Sequence, residues 1–202
     1  DVTTSAGVAE TSFSAGVTVG DFNNDGFSDL YVANIGVNRC LMNHSDGTFA
    51  EVTEHTRTGG SDWSTSCLLA DVDGDSLPDL YVVNYLTGAD LFSRVCPEKD
   101  GTLRSCSPRQ FAGAQDRLYL NQGTGSFEEI TESAGIVVPD GKGLGIVAMQ
   151  RHHGPGLDLF IANDAVPNFL FRHAPESSPG RPRFHEQALL YGLALNAQGL
   201  PE

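Results

Sequence analysis

The chain has 202 residues, with 26 Asp and Glu against 12 Lys and Arg, which gives a formal net charge of −14. This acidity argues against nucleic acid and anionic membrane partners, because both require basic protein surfaces. A hydrophobic content of 40% is too high for a disordered chain. No apolar run approaches the ~18 residues of a membrane span, so no membrane insertion is expected.

The elements predicted in chain order are short strands that lead into and out of acidic loops. The strands are rich in Val, Ile, Leu and Tyr and are bounded by Gly, Asp, Asn and Pro, which is typical of β-structure. No window of helical length has apolar residues at a period of about 3.6, so the sequence predicts an all-β chain. The strands before the loops cover residues 15–20, 66–70 and 144–149, and those after them cover residues 30–33, 80–83 and 159–162.

The acidic loops belong to an internal repeat. Residues 21–34 align without a gap with residues 71–84, and the segments that follow align as well. The two copies begin 50 residues apart, and this period is in the range of β-propeller blades, which are four-stranded sheets. The sequence therefore predicts about three such blades. The downstream matches are 38–43 and 46–53 with 116–121 and 124–131, and more loosely with 168–173 and 183–186.

The repeat also predicts where the blades lie. We expect blades at residues 8–53, 60–131 and 140–188, the second with an insertion at 86–115. Residues 1–7 match 129–135, so we expect residues 1–7 and 189–202 to be parts of neighbouring blades. Three blades do not close a ring, and we therefore expect a segment of a longer protein, cut at both ends.

The spacing of oxygen-bearing side chains in the acidic loops indicates a calcium site. They stand at loop positions 1, 3, 5 and 9, and position 7 can offer a backbone carbonyl. Calcium takes about six to eight oxygen ligands, whereas Mg²⁺ tolerates flexible loops poorly. Carboxylates about 4 Å apart repel by roughly 4 kcal/mol at an effective dielectric near 20. A solvated acidic turn is the alternative for one loop, but two copies at equivalent places favour bound calcium.

The repeated pattern of residues 21–34 and 71–84, followed by 38–43 and 46–53, resembles the FG-GAP/VCBS repeats of integrin-α-like β-propellers. The stretches 141–145 and 161–171, together with the insertion that holds Cys96 and Cys106, are similar to the cartilage acidic protein (ASPIC/UnbV) branch. The resemblance implies a seven-bladed propeller, of which this chain covers about three blades. It also implies calcium in the turn between a blade's first two strands, secretion, and an adhesion or scaffold role.

Carried over by position, the resemblance implies two calcium sites and one empty loop. The third loop, near residues 150–158, keeps only Asp158 and carries Gln150, His152, Gly154 and Gly156 at other ligand positions, so it is predicted to be empty. The first site would consist of Asp21, Asn23, Asp25, the carbonyl of Phe27 and Asp29. The second would consist of Asp71, Asp73, Asp75, the carbonyl of Leu77 and Asp79.

The four cysteines fall into two pairs of different character. Cys96 and Cys106 lie in a long polar insertion with little other means of holding its shape, and we expect them to form a disulfide in an oxidising compartment. A disulfide that closes so short a loop contributes roughly 2–3 kcal/mol to the free energy of unfolding. Cys40 and Cys67 lie at strand positions, and two alternatives stay open for them: buried free thiols or a second disulfide. No CxxC or His/Cys spacing indicates zinc.

Other motifs carry less information. No GxSxG, GK[ST] or HExxH pattern is present, and no catalytic role is expected. The pair His152 and His153 is not expected to bind metal, and residues 141–145 predict a turn rather than a phosphate loop. Asn43 begins a glycosylation sequon. Trp63 and the Phe residues of the fourth strands are expected to pack between blades.

These features predict a secreted, extracellular calcium-binding β-propeller that acts as a scaffold for protein or glycan ligands. The alternative is a structural subunit of an extracellular fibre or surface layer, which would self-assemble through exposed blade edges. An enzyme that uses the central face of the propeller is a third hypothesis. Propellers host many functions, so the fold does not decide among these hypotheses.

Overall fold

The computed structural model describes residues 1–150, 156–178 and 180–201, and its secondary structure is almost entirely β. Helical residues in these ranges are confined to a one-turn helix, α1 (Thr53–Thr56), and a 3-10 turn at Pro108–Gln110. The all-β prediction is confirmed. No helix in the described ranges is long and apolar enough to cross a membrane.

Three four-stranded antiparallel sheets make up the body of the chain, each with its strands in sequence order. The first sheet contains β1 (Phe13–Gly20), β2 (Asp29–Ile35), β3 (Arg39–Asn43) and β4 (Phe49–Glu51). The second begins with β5 (Ser64–Ala70) and β6 (Asp79–Asn84). An insertion with β7 (Leu86–Thr87), β8 (Val95–Pro97), β9 (Leu103–Ser105) and β10 (Ala112–Gly113) follows, and β11 (Arg117–Asn121) and β12 (Phe127–Glu129) complete the sheet. The third contains β13 (Gly143–Gln150), β14 (Leu157–Asn163), β15 (Phe169–His173) and β16 (Phe184–Glu186).

The three sheets repeat one another in detail. The first strand of each sheet has an irregularity of register at the same place, between Ser14 and Gly16, between Ser64 and Ser66, and between Gly143 and Gly145. In the first two sheets the acidic loop then joins paired residues, Gly20 opposite Asp29 and Ala70 opposite Asp79. The acidic loops are therefore the tips of hairpins. The closed seven-bladed ring and the predicted blade boundaries stay predictions.

The apolar core lies between neighbouring sheets. Strand β6 is buried along its whole length, and because successive side chains point to opposite faces, Leu80 packs toward the first sheet and Tyr81 toward the third. The fourth strands of the second and third sheets, β12 and β16, each begin with a Phe that is buried in these layers, as expected. The layer between the first two sheets includes Phe22, Tyr31, Cys40, Cys67, Val82 and Phe127, and the layer between the last two includes Val83, Leu118, Leu159, Phe171 and Phe184.

The same turn recurs at the edge of each sheet. The carbonyl of Ala6 accepts a hydrogen bond of 2.8 Å from Phe49 N, and the carbonyl of Ala134 accepts one of 2.8 Å from Phe184 N. Residues 1–7 thus fold like residues 129–135, with which they align in sequence. Each turn contains a left-handed residue, which is Gly7, Gly135 or Gly192 in three copies and Arg57 in the fourth.

The insertion is better ordered than its polar sequence predicts. Cys96 and Cys106 form the expected disulfide, with a Cα–Cα distance of 5.0 Å. The expectation that little else holds this segment is wrong, because β8 pairs with β9 and β7 pairs with β10. The guanidinium of Arg94 also donates to Asp90 at 2.7 Å and lies over the ring of Phe111.

The other two cysteines do not form a second disulfide. Cys40 and Cys67 are free and buried between the first two sheets, and burial raises the pKa of each thiol to about 12. Such thiols are inert packing groups. Trp63 packs as expected near the junction of two sheets, against Tyr85 and Phe92, and it forms an isolated bridge with Ile35 of the first sheet.

The left-handed conformation of Arg57 predicts that its replacement by glycine stabilises the protein. Arg57 has a φ of 61° at the end of α1, where a Cβ atom is unfavourable. We expect Arg57→Gly to raise the free energy of unfolding by about 0.5–1 kcal/mol, measured by urea denaturation. Arg57→Ala is the control, since it shortens the side chain but keeps the Cβ. Equal stability of the Gly and Ala variants would contradict this account.

Candidate metal centre

Loop two, residues 71–79, brings three carboxylates together. Ligand oxygens of Asp71, Asp73 and Asp79 lie within 4.8 Å of one another. Asp73 and Asp79 are each only 1% exposed, and Asp71 is partly exposed. This arrangement could hold a metal ion. Asp75, predicted as a fourth carboxylate ligand, lies outside this group, and the carbonyl of Leu77 stays a predicted ligand.

The carboxylates also curl the backbone around themselves. Asp71 Oδ1 accepts hydrogen bonds from Gly74 N at 2.6 Å and Asp75 N at 3.1 Å, while its Oδ2 accepts one from Ser76 N at 2.9 Å. Gly74 and Ser76 both have left-handed φ angles, which turns the chain sharply. The alternating Asp residues therefore shape the loop in which their remaining oxygens face one another.

The ninth position of the loop connects it to the rest of its sheet. Asp79 Oδ2 accepts from Val72 N at 3.0 Å, and Oδ1 accepts from Asn121 N, at the end of β11, at 2.9 Å. Asp29 in loop one, residues 21–29, makes the same two bonds to Phe22 N at 3.1 Å and Asn43 N at 2.8 Å. This carboxylate thus fixes where the loop sits relative to the third strand.

Burial raises the free energy of the charged form of these carboxylates. Desolvation raises the pKa of Asp79 to about 8, repulsion from Asp73 and Asp75 acts in the same direction, and the backbone donors oppose it. Burial likewise raises the pKa of Asp73 and of Asp29. Among the described residues no Lys or Arg forms an ion pair with either loop. A bound cation would supply the missing positive charge.

Loop one has the same fold with a looser set of ligands. Asp21 accepts hydrogen bonds from Asp25 N at 3.0 Å and Gly26 N at 2.8 Å. Asn23, at position 3, donates its amide N–H to Asp25 Oδ2 at 2.9 Å. Within the described ranges, only loop two brings three carboxylates as close together as 4.8 Å. The predicted ligand set of loop one, including the Phe27 carbonyl, stays a prediction.

The described part of the third hairpin contains no group of three carboxylates close to one another. Asp158 stands where Asp29 and Asp79 stand, and its Oδ1 accepts the equivalent bond from His173 N at 2.9 Å. Its Oδ2 accepts from Arg172 Nε at 3.0 Å. Residues 151–155 lie outside the described residues, so the positions of His152, His153 and Gly154 are not described, and the emptiness of this loop stays a prediction.

Both acidic loops also take part in contacts between sheets, which the sequence did not predict. Asn121 of the second sheet donates its side-chain N–H to the carbonyl of Phe22 in loop one at 2.8 Å, and to that of Pro78 in loop two at 3.0 Å. The backbone N–H of Gly180 in the third sheet's last connection donates to Asp73 Oδ2. The Asn that recurs at the end of the third strand marks the bond to the loop of its own sheet, whereas no local pattern marks the contacts between sheets.

The predicted glycosylation site has a structural role in the same repeat. Asn43 Nδ2 donates to the carbonyl of Ser28 at 2.9 Å, and its Oδ1 accepts from Ser45 N at 2.9 Å. Asn121 uses its amide in an equivalent way toward Pro78. These bonds do not decide whether the sequon is used, because a glycosylated Asn keeps one Nδ2–H and its Oδ1.

The comparisons with known proteins agree with the repeat. Residues 21–82 match the family described as FG-GAP-like repeat, and this match extends from the start of loop one through loop two into β6. A search of curated proteins gives no match. The match supports the predicted FG-GAP/VCBS resemblance, while the assignment to the ASPIC/UnbV branch stays a prediction.

The buried carboxylates predict how the stability of the metal-free protein depends on pH. The pKa is about 8 for Asp79 and about 7 for Asp116, against an ordinary value of 3.8. A carboxyl group with a raised pKa stabilises the folded protein while it is protonated, and this contribution is lost as the pH rises toward the folded pKa. The thermal midpoint of the metal-free protein should therefore decrease as the pH rises from about 4 to about 8.

Asp116 provides the matched control for this measurement. It accepts the hydrogen bond from Asn84 N at 2.8 Å, and in the other two sheets Asn38 and Asn168 accept the equivalent bond through neutral amides. Asp116→Asn should keep this bond and remove only the part of the decline that Asp116 contributes, between about pH 4 and about pH 7. A midpoint that stays level or rises across this pH range in the unsubstituted protein would contradict the effect of burial.

Proposed function

We propose that this chain is part of a secreted, calcium-stabilised β-propeller that acts as a scaffold for protein or glycan ligands. The observation that carries the proposal is the group formed by Asp71, Asp73 and Asp79 at the hairpin between the first two strands of an FG-GAP-like repeat. Repeats of this family are typical of protein-binding or adhesion propellers. The proposal includes no catalytic activity, because the sequence contains no GxSxG, GK[ST] or HExxH pattern.

Calcium is the cation that suits the donors best. All the side-chain and carbonyl groups at the ligand positions offer oxygen, which is the ligand of hard cations, and hairpin loops tolerate the variable geometry of calcium. In loop two Asp71, Asp73, Asp75, the carbonyl of Leu77 and Asp79 would hold the ion. Loop one would use Asp21, Asn23, Asp25, the carbonyl of Phe27 and Asp29. The ion would neutralise carboxylates that burial and mutual repulsion disfavour.

The disulfide supports an extracellular location. Cys96 and Cys106 join the two arms of an insertion whose strands β8 and β9 are mostly exposed to solvent. Disulfides of this kind persist in oxidising compartments and are rare in the cytosol. The bond would keep the exposed hairpin intact without the support of a large core.

The same hairpin is a surface on which a partner could bind. Phe92, Val95 and Leu103 are 71%, 56% and 67% exposed. Arg94, Lys99, Arg104 and Arg109 also lie in the insertion, whereas the chain as a whole carries a net charge of −14. A ligand with apolar groups fits this surface, because its four basic residues are largely offset by Asp90, Glu98 and Asp100.

Self-assembly is the second candidate function, and exposed apolar strands favour it. Val17 and Val19 of β1 are 62% and 56% exposed, and Leu144 and Val147 of β13 are 50% and 54% exposed. Strand β5 of the middle sheet lies against both β1 and β13. Further sheets or further copies would cover the outer faces in the same way. Light scattering of the full-length protein separates these cases, since a monomer at all concentrations would argue against self-assembly.

Calcium should raise the stability of the chain measurably. At free calcium one hundredfold above Kd, each occupied site adds about 2.7 kcal/mol to the free energy of unfolding. We expect a higher thermal midpoint in calcium than in EGTA, and about half of this gain in the Asp71→Asn variant, which alters only loop two. The measurement is differential scanning calorimetry in matched buffers.

The control for this experiment is Asp46→Asn. Asp46 is also exposed and accepts a backbone hydrogen bond, from Thr48 N at 2.9 Å, but it lies in a hairpin turn outside both acidic loops. The full calcium effect should survive this substitution. If the unsubstituted chain has the same midpoint in calcium and in EGTA, the calcium proposal is wrong.

A further inference from the structure

We infer that Arg172 determines which hairpins take calcium. Its guanidinium is a positive charge that belongs to the protein itself. In the third hairpin it takes the place that calcium takes in loops one and two. The inference rests on the proposed calcium loops. It explains why a sheet that shares the ninth-position carboxylate needs no metal there, and it identifies a residue whose identity selects between a metal ion and an internal cation.

The three ninth-position carboxylates are equivalent in structure. Asp29, Asp79 and Asp158 each accept a hydrogen bond of 2.8–2.9 Å through Oδ1 from the backbone N–H at the end of the third strand. All three are buried, at 0%, 1% and 9% exposure. The need for a positive charge near the carboxylate is therefore common to the three hairpins.

The second oxygen of the carboxylate has a charged donor in the third hairpin. In loops one and two it accepts a backbone N–H, from Phe22 and from Val72. In the third hairpin it accepts the charged Nε–H of Arg172 at 3.0 Å. The guanidinium places a positive charge next to this buried carboxylate, whereas no Lys or Arg among the described residues forms an ion pair with Asp29 or Asp79.

The position of Arg172 is apolar in the other two sheets. The strand alignment places Met42 in β3 and Leu120 in β11 at the same site, and the registers agree, since Leu30 pairs with Leu41, Leu80 with Tyr119 and Leu159 with Phe171. A cation therefore occurs at this site only in the sheet that has lost the acidic residues at position 1. Gln150 stands there in place of Asp21 and Asp71.

A second contact fixes the guanidinium in this place. The side chain of Arg172 lies over the ring of Tyr191 at 4.6 Å and donates a hydrogen bond to the Tyr191 hydroxyl. Tyr191 belongs to the turn that follows the third sheet, so Arg172 joins this turn to the hairpin. An arginine is suited to both roles because it is always charged and its flat face stacks on aromatic rings.

Exchanging the two side chains tests the inference. Arg172→Met removes the cation and should lower the thermal midpoint by the same amount in calcium and in EGTA, because calcium cannot replace it. Met42→Arg places a guanidinium near Asp29, and Met42 already lines a half-open cleft of about 440 Å³ beside Phe22 and Asn23 that can hold the larger side chain. This variant should bind one calcium ion fewer than the unsubstituted chain, measured by titration calorimetry.

Two further variants are the controls. Tyr191→Leu removes the stacking contact but leaves the ion pair with Asp158, and it should lower the midpoint less than Arg172→Met does. Met42→Leu changes the same site as Met42→Arg without adding charge, and it should leave the number of bound calcium ions unchanged.

The possible outcomes separate this inference from the proposed function. Calcium that restores the midpoint of Arg172→Met would overturn the inference, and so would a Met42→Arg variant that keeps the full number of calcium ions. If the unsubstituted chain binds no calcium, the proposed function fails, but the midpoint of Arg172→Met in EGTA still decides the inference. No loss of midpoint in that variant would overturn it.

Discussion

The structure depends on a buried carboxylate at the end of each acidic hairpin. Asp29, Asp79 and Asp158 each hold the start of the second strand against the end of the third strand through hydrogen bonds that only an acceptor can make. Placing a negative charge in this buried position is unfavourable unless a positive charge accompanies it. The proposed calcium loops and the proposed role of Arg172 are two ways of meeting this requirement.

This constraint links the hairpins to the packing of the sheets. The carbonyl of Phe22 in loop one accepts a hydrogen bond from Asn121 of the next sheet, and Asp73 of loop two accepts one from Gly180 of the sheet after it. A change in either loop therefore reaches the neighbouring sheet directly. The proposed role of calcium is structural in this sense, since the ion would secure the junctions between sheets as well as a single turn.

The sequence predicts much of this fold because the repeat is local. Short runs rich in Val, Ile, Leu and Tyr, bounded by Gly, Asp, Asn and Pro, mark the strands, and the gap-free match of residues 21–34 with 71–84 places the hairpins. The disulfide between Cys96 and Cys106 also follows from short-range spacing. The pairing of β8 with β9 does not follow from the sequence, because strands of three residues are too short to carry a periodic signal.

The parts of the site that the sequence did not predict come from distant pairs. The contacts of Asn121 with Phe22 and of Gly180 with Asp73 join residues separated by 99 and 107 positions. Local pattern carries no information about such contacts. The ion pair of Arg172 with Asp158 also lies outside the loop pattern, because Arg172 stands on the third strand of its sheet, 14 positions from Asp158.

The number of calcium ions bound by the unsubstituted chain tests the central claim most directly. The claim is that each buried carboxylate is matched by one cation, which is calcium in loops one and two and Arg172 in the third hairpin. Titration calorimetry of the metal-free chain at neutral pH should give a stoichiometry of two. A stoichiometry of zero, or of three, would contradict the account.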